Sequence, residues 1–218
     1  MVKAVFCDFY GTVVNEYGPL AYEIMQRIYK SGKAGSMQDV LSYWWSTYRD
    51  RLYKACGESF RLQRDLALEN FQELTMHFHS TESAEELNNL MTEHWCNPPI
   101  YDDTKIFLEN LKLPIYFVTN SDDFYVEEAI QNHGLKPTGI ITSEQAKYSK
   151  PHKEIFEYAL KKAGLKAEDV IHMGDSIGGD VRCPQTVGIR AIWVNRDSKP
   201  VPESVEAINE LKEIYKWL

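Results

Sequence analysis

The sequence predicts an α/β fold, a three-layer, Rossmann-type core with a mostly parallel sheet, interrupted after its first strand by an all-helical cap. Three observations predict it. An apolar run from Lys3 opens the chain and ends on a carboxylate, Asp8. From Pro99 onward, short β-rich runs alternate with amphipathic helical patterns, the signature of a parallel sheet covered by helices. Between Asn15 and Asn97 no strand pattern occurs, only long helical ones. The core should therefore comprise residues 1–14 and 98–218, and the helical cap residues 15–97.

The elements follow in order. Lys3 to Asp8 forms the first strand. Leu20, Ile24, Ile28 and Tyr29 space as one helix face. The Gly32–Gly35 stretch breaks that helix, and Ser36 can cap the next. This second helix carries Val40, Leu41, Trp44, Trp45, Tyr48 and Leu52 and runs to Gly57. A third helix spans about Phe60 to Phe78, and Ser83 opens a fourth that ends before Pro98-Pro99. A helix near Thr104–Leu111 then leads into the strand Ile115–Val118. Next come a helix from about Asp122, a short strand near Gly139–Ile141 and a helix from Pro151 to Ala163. The strands Val170–Met173 and Ala191–Val194 follow. Pro184, in the helix after Asp180, is compatible with a helix that begins close by. A final amphipathic helix is expected, with Val205, Ile208, Leu211 and Ile214 on one face.

Composition narrows the function. The chain has 218 residues, 44% hydrophobic and 26% charged, with a net charge of −8. That charge argues against nucleic-acid binding, which needs clustered Lys and Arg. No apolar run approaches the roughly 18 residues of a membrane span, and no signal-peptide pattern opens the sequence. Four cysteines, Cys7, Cys56, Cys96 and Cys183, lie far apart without a Cys-x-x-Cys pair, which disfavours zinc or a redox motif and fits a reducing, cytoplasmic location. The expected partner is a small-molecule substrate, and the protein a monomer or homodimer.

Polar residues capable of chemistry recur at strand ends. Asp8 ends the first strand, and Thr119-Asn120-Ser121 the second. Lys150-Pro151 opens the helix after the third, and Gly174-Asp175-Ser176 with Asp180 follows the fourth. In a doubly wound sheet such groups converge on one crevice. Single residues have plainer readings too: Thr119 or Asp180 as a helix cap, Lys150 as a solvated surface lysine. Asp8 and Asp175 are harder to explain away, because carboxylates buried at strand ends repel each other without a cation. His172 reads as a hydrogen-bonded core histidine, and Tyr43, Trp44, Trp45 and Tyr48 as cap core. Arg49, Arg51, Arg61 and Arg64 read as solvated faces, any one of which could reach a substrate anion.

Taken together, Asp8-Phe9-Tyr10-Gly11-Thr12-Val13, Thr119-Asn120-Ser121, Lys150-Pro151 and Gly174-Asp175…Asp180 resemble the four motifs of the haloacid dehalogenase (HAD) superfamily, in their usual order. The resemblance covers most of the chain and is weakest in the helical middle. It implies a HAD-like core with an inserted cap, and hydrolysis through a covalent intermediate on Asp8. In the family's phosphatases, Mg²⁺ is held by residues that correspond to Asp8, the carbonyl of Tyr10 and Asp175. Asp180 would stand behind them, orienting water, Lys150 or the loop. Thr119 and Asn120 would donate hydrogen bonds to a phosphoryl group, and Lys150 would steady the nucleophile and transition state.

Tyr10 departs from the phosphatase pattern Asp-x-Asp-x-Thr, whose second aspartate serves as general acid and base. Asp-x-Tyr-Gly-Thr resembles instead the 2-haloacid dehalogenases, where a departing halide needs no proton. Their metal-free fourth motif carries Ser and Asn, whereas Asp175 here keeps the acidic form. They also place a halide-binding arginine just after a cap tryptophan, and Arg49 is only a loose counterpart. The favoured reading is a Mg²⁺-dependent phosphatase of a small molecule. A metal-free (S)-2-haloacid dehalogenase and a catalytically weakened binding or regulatory member are the alternatives.

Overall fold

The computed structural model describes all residues, 1–218. Strand β1 (Ala4–Cys7) is followed by helices α1 (Pro19–Ser31), α2 (Met37–Lys54), α3 (Gln63–His77), α4 (Ala84–Cys96) and α5 (Asp102–Asn110). Then come β2 (Ile115–Thr119), α6 (Asp123–His133), β3 (Gly139–Thr142), the single turn α7 (Ser143–Ala146), α8 (Glu154–Ala163) and β4 (Val170–Gly174). A π-helical turn (Ile177–Arg182) runs into α9 (Cys183–Gln185), and β5 (Arg190–Val194) and β6 (Ala207–Ile208) complete the sheet. The strand order is β3-β2-β1-β4-β5-β6, and every pairing is parallel. β1 is central, with Val5 opposite Ile115 on one side and Ile171 on the other. The chain's excursions diverge to either side of β1, so the carboxyl ends of β1, β2 and β4 open onto one crevice.

The helical insertion forms for the reasons its sequence suggests. Ser36 Oγ accepts the Asp39 N–H and Ser83 Oγ accepts the Glu86 N–H, capping α2 and α4. Trp44 stacks on Phe71 of α3 with ring centroids 4.2 Å apart and on Tyr48 at 5.0 Å. One apolar cluster of 36 buried residues runs from Val5 and Phe9 in the core into Trp44, Phe71 and Trp95 of the helices. The insertion therefore rests on the sheet through continuous packing. The start of α3 is capped from outside it: both carboxylate oxygens of Asp122, just past β2, accept the N–H groups of Gln63 and Arg64.

The carboxyl terminus departs from the single helix expected there. Residues 207–208 add a sixth strand on β5, and Leu211–Trp217 is a 3₁₀ helix. Ile208, Leu211 and Ile214 are buried as expected. Their three-residue spacing aligns a face of a 3₁₀ helix as readily as one of an α-helix, and Ser204 at φ 68° breaks regular geometry beforehand. Pro184 falls in the first turn of α9, where its missing N–H costs nothing. Pro151 precedes α8, whose first residue is Glu154.

Candidate active site

β1 delivers Asp8 into the crevice with little freedom. The carboxylate is 5% exposed; Oδ2 accepts the Thr12 hydroxyl at 3.0 Å and Oδ1 the Lys150 ammonium at 2.6 Å. The chain then turns sharply through Gly11 at φ 89°. A Cβ on Gly11 would lie 2.6 Å from Asp175 Oδ2, so glycine is needed both for the backbone and for the approach of the second carboxylate. The turn's amides converge on the Phe9 carbonyl, which accepts from Thr12, Val13 and Val14, leaving the Tyr10 carbonyl outside these bonds. Arg196 secures the far side of the turn by donating to the Thr12 carbonyl and to Asp103.

Lys150 is held from both ends. Asn120 Oδ1 accepts the Lys150 N–H at 2.6 Å, and Asn120 Nδ2 donates to the Lys150 carbonyl at 3.0 Å. The Asn120 side chain thus positions the lysine backbone, with the second hydrogen of its amide left over for a ligand. At the other end the ammonium bridges Asp8 and Asp180, at 2.6 Å to each. Burial would lower the lysine pKa, but the two carboxylates, Asp180 foremost, outweigh it and hold the group charged. Asp180 also accepts from His172 and from the Ser176 N–H, closing the 175–180 loop around itself. Burial opposes its ionisation, yet Lys150 and His172 hold its carboxyl well below the usual range. His172 is fully buried, as a core histidine, and burial lowers its pKa.

Asp175 has different surroundings. The Trp193 indole N–H fixes its backbone carbonyl at 2.8 Å, while its carboxylate makes no salt bridge. Burial pushes its pKa well up, with the Asp8 and Asp180 carboxylates adding to the effect. Oxygens of Asp8, Asp175 and Asp180 all lie within 4.8 Å of one another. Three carboxylates against one ammonium leave an excess of two negative charges in a confined space. A hard divalent cation fits such a set; Asp180 is engaged by Lys150, His172 and Ser176, and Asp175 is the carboxylate of the three without a salt bridge.

These residues line the floor of a cavity of about 1040 Å³ whose walls come from α1, α2 and the end of α4. Thr119 is buried at its base with its hydroxyl making no bond inside the protein. All of the residues singled out at the strand ends, Asp8, Tyr10, Thr119, Asn120, Lys150, Asp175 and Asp180, border this one cavity. Of the four arginines, only Arg49 reaches it; Arg51 and Arg61 pair with Glu69 and Glu73. Trp45 and Tyr48 serve as cavity wall as well as cap packing.

Two features were not legible in the sequence. The Tyr10 hydroxyl donates to the Trp95 carbonyl at 2.8 Å, at the end of α4, and so joins the nucleophile's turn to the cap instead of facing Asp8. Glu16, which reads as an ordinary loop residue, lines the cavity. Burial, then the Asp175 and Asp8 carboxylates, raises its pKa well above the usual value. His94 of α4 donates to its backbone carbonyl at 3.0 Å and fixes it there. Its place eight residues beyond Asp8, after a tight turn that returns the chain to the crevice, was the one available signal.

Comparison with known proteins bears on the family and the fold. The HAD-hydrolase YfnB of Bacillus subtilis is 34% identical over 110 residues, 48% of this chain and 47% of that protein. Its magnesium-bound crystal structure superposes with a TM-score of 0.74 at 20% identity, covering 99% and 97% of the two chains. A glyceraldehyde 3-phosphate phosphatase of Methanocaldococcus jannaschii is 29% identical over 124 residues, 53% of this chain and 54% of that one. The chain spans about half the length of the curated relatives it matches. The L-2-haloacid dehalogenase RSc1362 superposes with a TM-score of 0.82 over 99% of this chain and 98% of its own, at 16% identity, a likeness of fold alone. No helix is long and apolar enough to cross a membrane. The family model described as haloacid dehalogenase-like hydrolase matches residues 2–188, and the chain belongs to that family of hydrolases.

Proposed function

We infer that the protein is a Mg²⁺-dependent phosphatase of a small molecule, working through a phosphoryl group carried on Asp8. The observation that carries this reading is Asp175. An acidic side chain without a salt bridge, beside the nucleophile, raises the barrier to any reaction of Asp8 with an anion unless a cation is present. A metal-free dehalogenase gains nothing from it. Phosphatase relatives and a relative crystallised with magnesium support the same choice.

The residues divide the work as follows. An oxygen of Asp8 attacks phosphorus, and the bond from phosphorus to the leaving oxygen breaks. Lys150 keeps Asp8 ionised and offsets charge on the phosphoryl oxygens. The Thr119 hydroxyl is free to donate to one of those oxygens. Mg²⁺ held by Asp8, the Tyr10 carbonyl and Asp175 would supply electrostatic neutralisation between carboxylate and phosphate. Water then attacks phosphorus and releases phosphate, restoring Asp8. The Tyr10 hydroxyl takes no part in this scheme, being committed to Trp95.

The dehalogenase reading retains one specific observation, the tyrosine at position 10 itself. Titration calorimetry with Mg²⁺ separates the two. The phosphatase reading requires saturable binding at millimolar metal or below in the wild type and its loss in Asp175→Asn; wild-type protein that binds no Mg²⁺ would turn the assignment to the dehalogenase.

A further inference from the structure

We propose that Glu16 is the general acid and base of this site: its carboxyl gives a proton to the departing oxygen and, as a carboxylate, takes one from the water that frees Asp8. The proposal rests on the phosphatase reading and supplies a proton path which that reading leaves open. Glu16 borders the same cavity as Asp8, Lys150 and Asp175. Its carboxylate has no hydrogen-bond or salt-bridge partner in the protein, and neither oxygen is closed off from the cavity. The other carboxylates bordering the cavity are placed for other work. Asp8 faces phosphorus, Asp180 is held by Lys150 and His172, and Asp50 pairs with Lys54 at 2.7 Å. Asp175 belongs with Asp8 and Asp180 to the cluster whose oxygens lie within 4.8 Å of one another, and Glu16 stands outside that cluster.

The backbone that carries Glu16 is fixed while its side chain is free. His94 bonds the Glu16 carbonyl at 3.0 Å, the Asn15 N–H donates to the Pro99 carbonyl at 2.7 Å, and Asn15 Oδ1 accepts the Tyr17 N–H at 2.8 Å. Asp175, Asp8, Asp180 and Lys150 face the carboxyl from the strand ends, the Tyr17 phenol adjoins it, and Arg49 of α2 borders the same cavity. Burial and the facing carboxylates favour the protonated acid. Mg²⁺ and a phosphate dianion enter with offsetting charges, so the field of those carboxylates persists in the complex.

The chemistry needs such a group, and its neighbours do not provide it. The Tyr10 hydroxyl is bound to the Trp95 carbonyl. Lys150 is held charged by Asp180 and Asp8, which makes its proton hard to give up. When Asp8 bonds to phosphorus, the bond from phosphorus to the leaving oxygen breaks and its electron pair stays on that oxygen. The Glu16 proton passes to it, giving an alcohol and the Glu16 carboxylate. Water then attacks phosphorus, its proton passes to Glu16, and the bond from phosphorus to Asp8 breaks. Phosphate leaves with both side chains restored. Proton transfer of this kind contributes about 10²- to 10⁴-fold in rate.

The test follows product release from 4-nitrophenyl phosphate and from propyl phosphate by wild type and Glu16→Gln, with Mg²⁺ saturating both proteins so that a change in metal affinity drops out. 4-Nitrophenolate departs without a proton, so Glu16→Gln should still transfer the phosphoryl group to Asp8 and then stall. It should show a burst of 4-nitrophenolate approaching one per enzyme, followed by turnover at least about 100-fold slower than wild type. Acid-quenched Glu16→Gln should carry the phosphoryl group in its intact-protein mass, and wild type far less of it. Propanol needs the proton to leave, so its release should slow at least about 100-fold without a burst. If wild type accepts only the aryl ester, the burst and the trapped phosphoryl group decide. Turnover of 4-nitrophenyl phosphate by Glu16→Gln within about threefold of wild type, or slowed turnover with no burst, would overturn the role of Glu16 and leave the phosphatase reading standing on the wild-type activity. Wild-type protein that releases phosphate from neither ester would overturn both.

Discussion

Replacing Lys150 with methionine removes the ammonium that joins Asp8 to Asp180 while keeping a long apolar stem. The lysine is 9% exposed and lies 2.6 Å from each carboxylate. Breaking a buried ion pair by deleting one partner costs about 3–5 kcal/mol, because the remaining charge stays buried. For a chain of this length each kcal/mol moves Tm by roughly 2–4 °C, so the metal-free Tm at pH 7 should fall by about 6–20 °C. Mg²⁺ at a hundred times its Kd should return about 2.7 kcal/mol, which makes the variant's stability depend on metal. The pH dependence follows from the directions of the shifts. Asp180 is held below its unfolded pKa, so its contribution is complete above that unfolded value and is lost as pH falls through the lower folded one. Lys150 is held above its unfolded pKa, so its contribution is present below about 10.4 and lost as pH rises through the folded value. Both operate between about pH 5 and 9, where the gap between wild type and variant should be widest. Scanning calorimetry at pH 7 and at acid pH, with chelator and with Mg²⁺, measures it. A fall of less than about 3 °C at pH 7 without metal would refute Lys150 as the counter-ion of this cluster.

Three further outcomes follow from the same charges and contacts. Asp175→Asn in chelator should raise the unfolding free energy at pH 7 by up to roughly 3 kcal/mol, taking two like charges near 5 Å at an effective dielectric of about 20. The sign follows from its raised folded pKa, which makes the ionised form a burden above about pH 4, so the gain should vanish at acid pH in a thermal scan. Tyr10→Phe leaves the buried Trp95 carbonyl without its donor and should cost about 1–3 kcal/mol by urea unfolding, with kcat/KM for an aryl phosphate changed less than about threefold; a loss approaching 100-fold would restore Tyr10 to the chemistry. Glu16→Gln removes a carboxylate from the cavity and should raise metal-free stability while weakening Mg²⁺ binding several-fold by calorimetry, since a nearby negative charge attracts the cation without ligating it.

The part of the site that lies at strand ends was readable because a parallel sheet brings the carboxyl ends of its strands to one crevice. Asp8, Thr119, Lys150 and Asp175 needed only the order of the strands to be placed together. Side-chain direction was not readable. The two hydrogen bonds that tie the Asn120 amide to the Lys150 backbone and the bond from Tyr10 to Trp95 depend on how the cap and loops dock, which local pattern does not encode. The carboxyl terminus shows a different limit. Burial of Ile208, Leu211 and Ile214 follows from their spacing, but a spacing of three does not separate an α-helix from a strand followed by a 3₁₀ turn. Glu16 escaped notice because its neighbours are polar and no periodicity marks it; only the turn at Gly11 returns it to the cavity.

The most direct test is a paired assay on the wild-type protein. Phosphate release from 4-nitrophenyl phosphate and halide release from 2-chloropropionate are measured side by side, each with Mg²⁺ and with chelator. Phosphate released with Mg²⁺ and abolished by chelator, with no halide under either condition, is the predicted result. Halide release that persists in chelator, without phosphate release, would contradict the account.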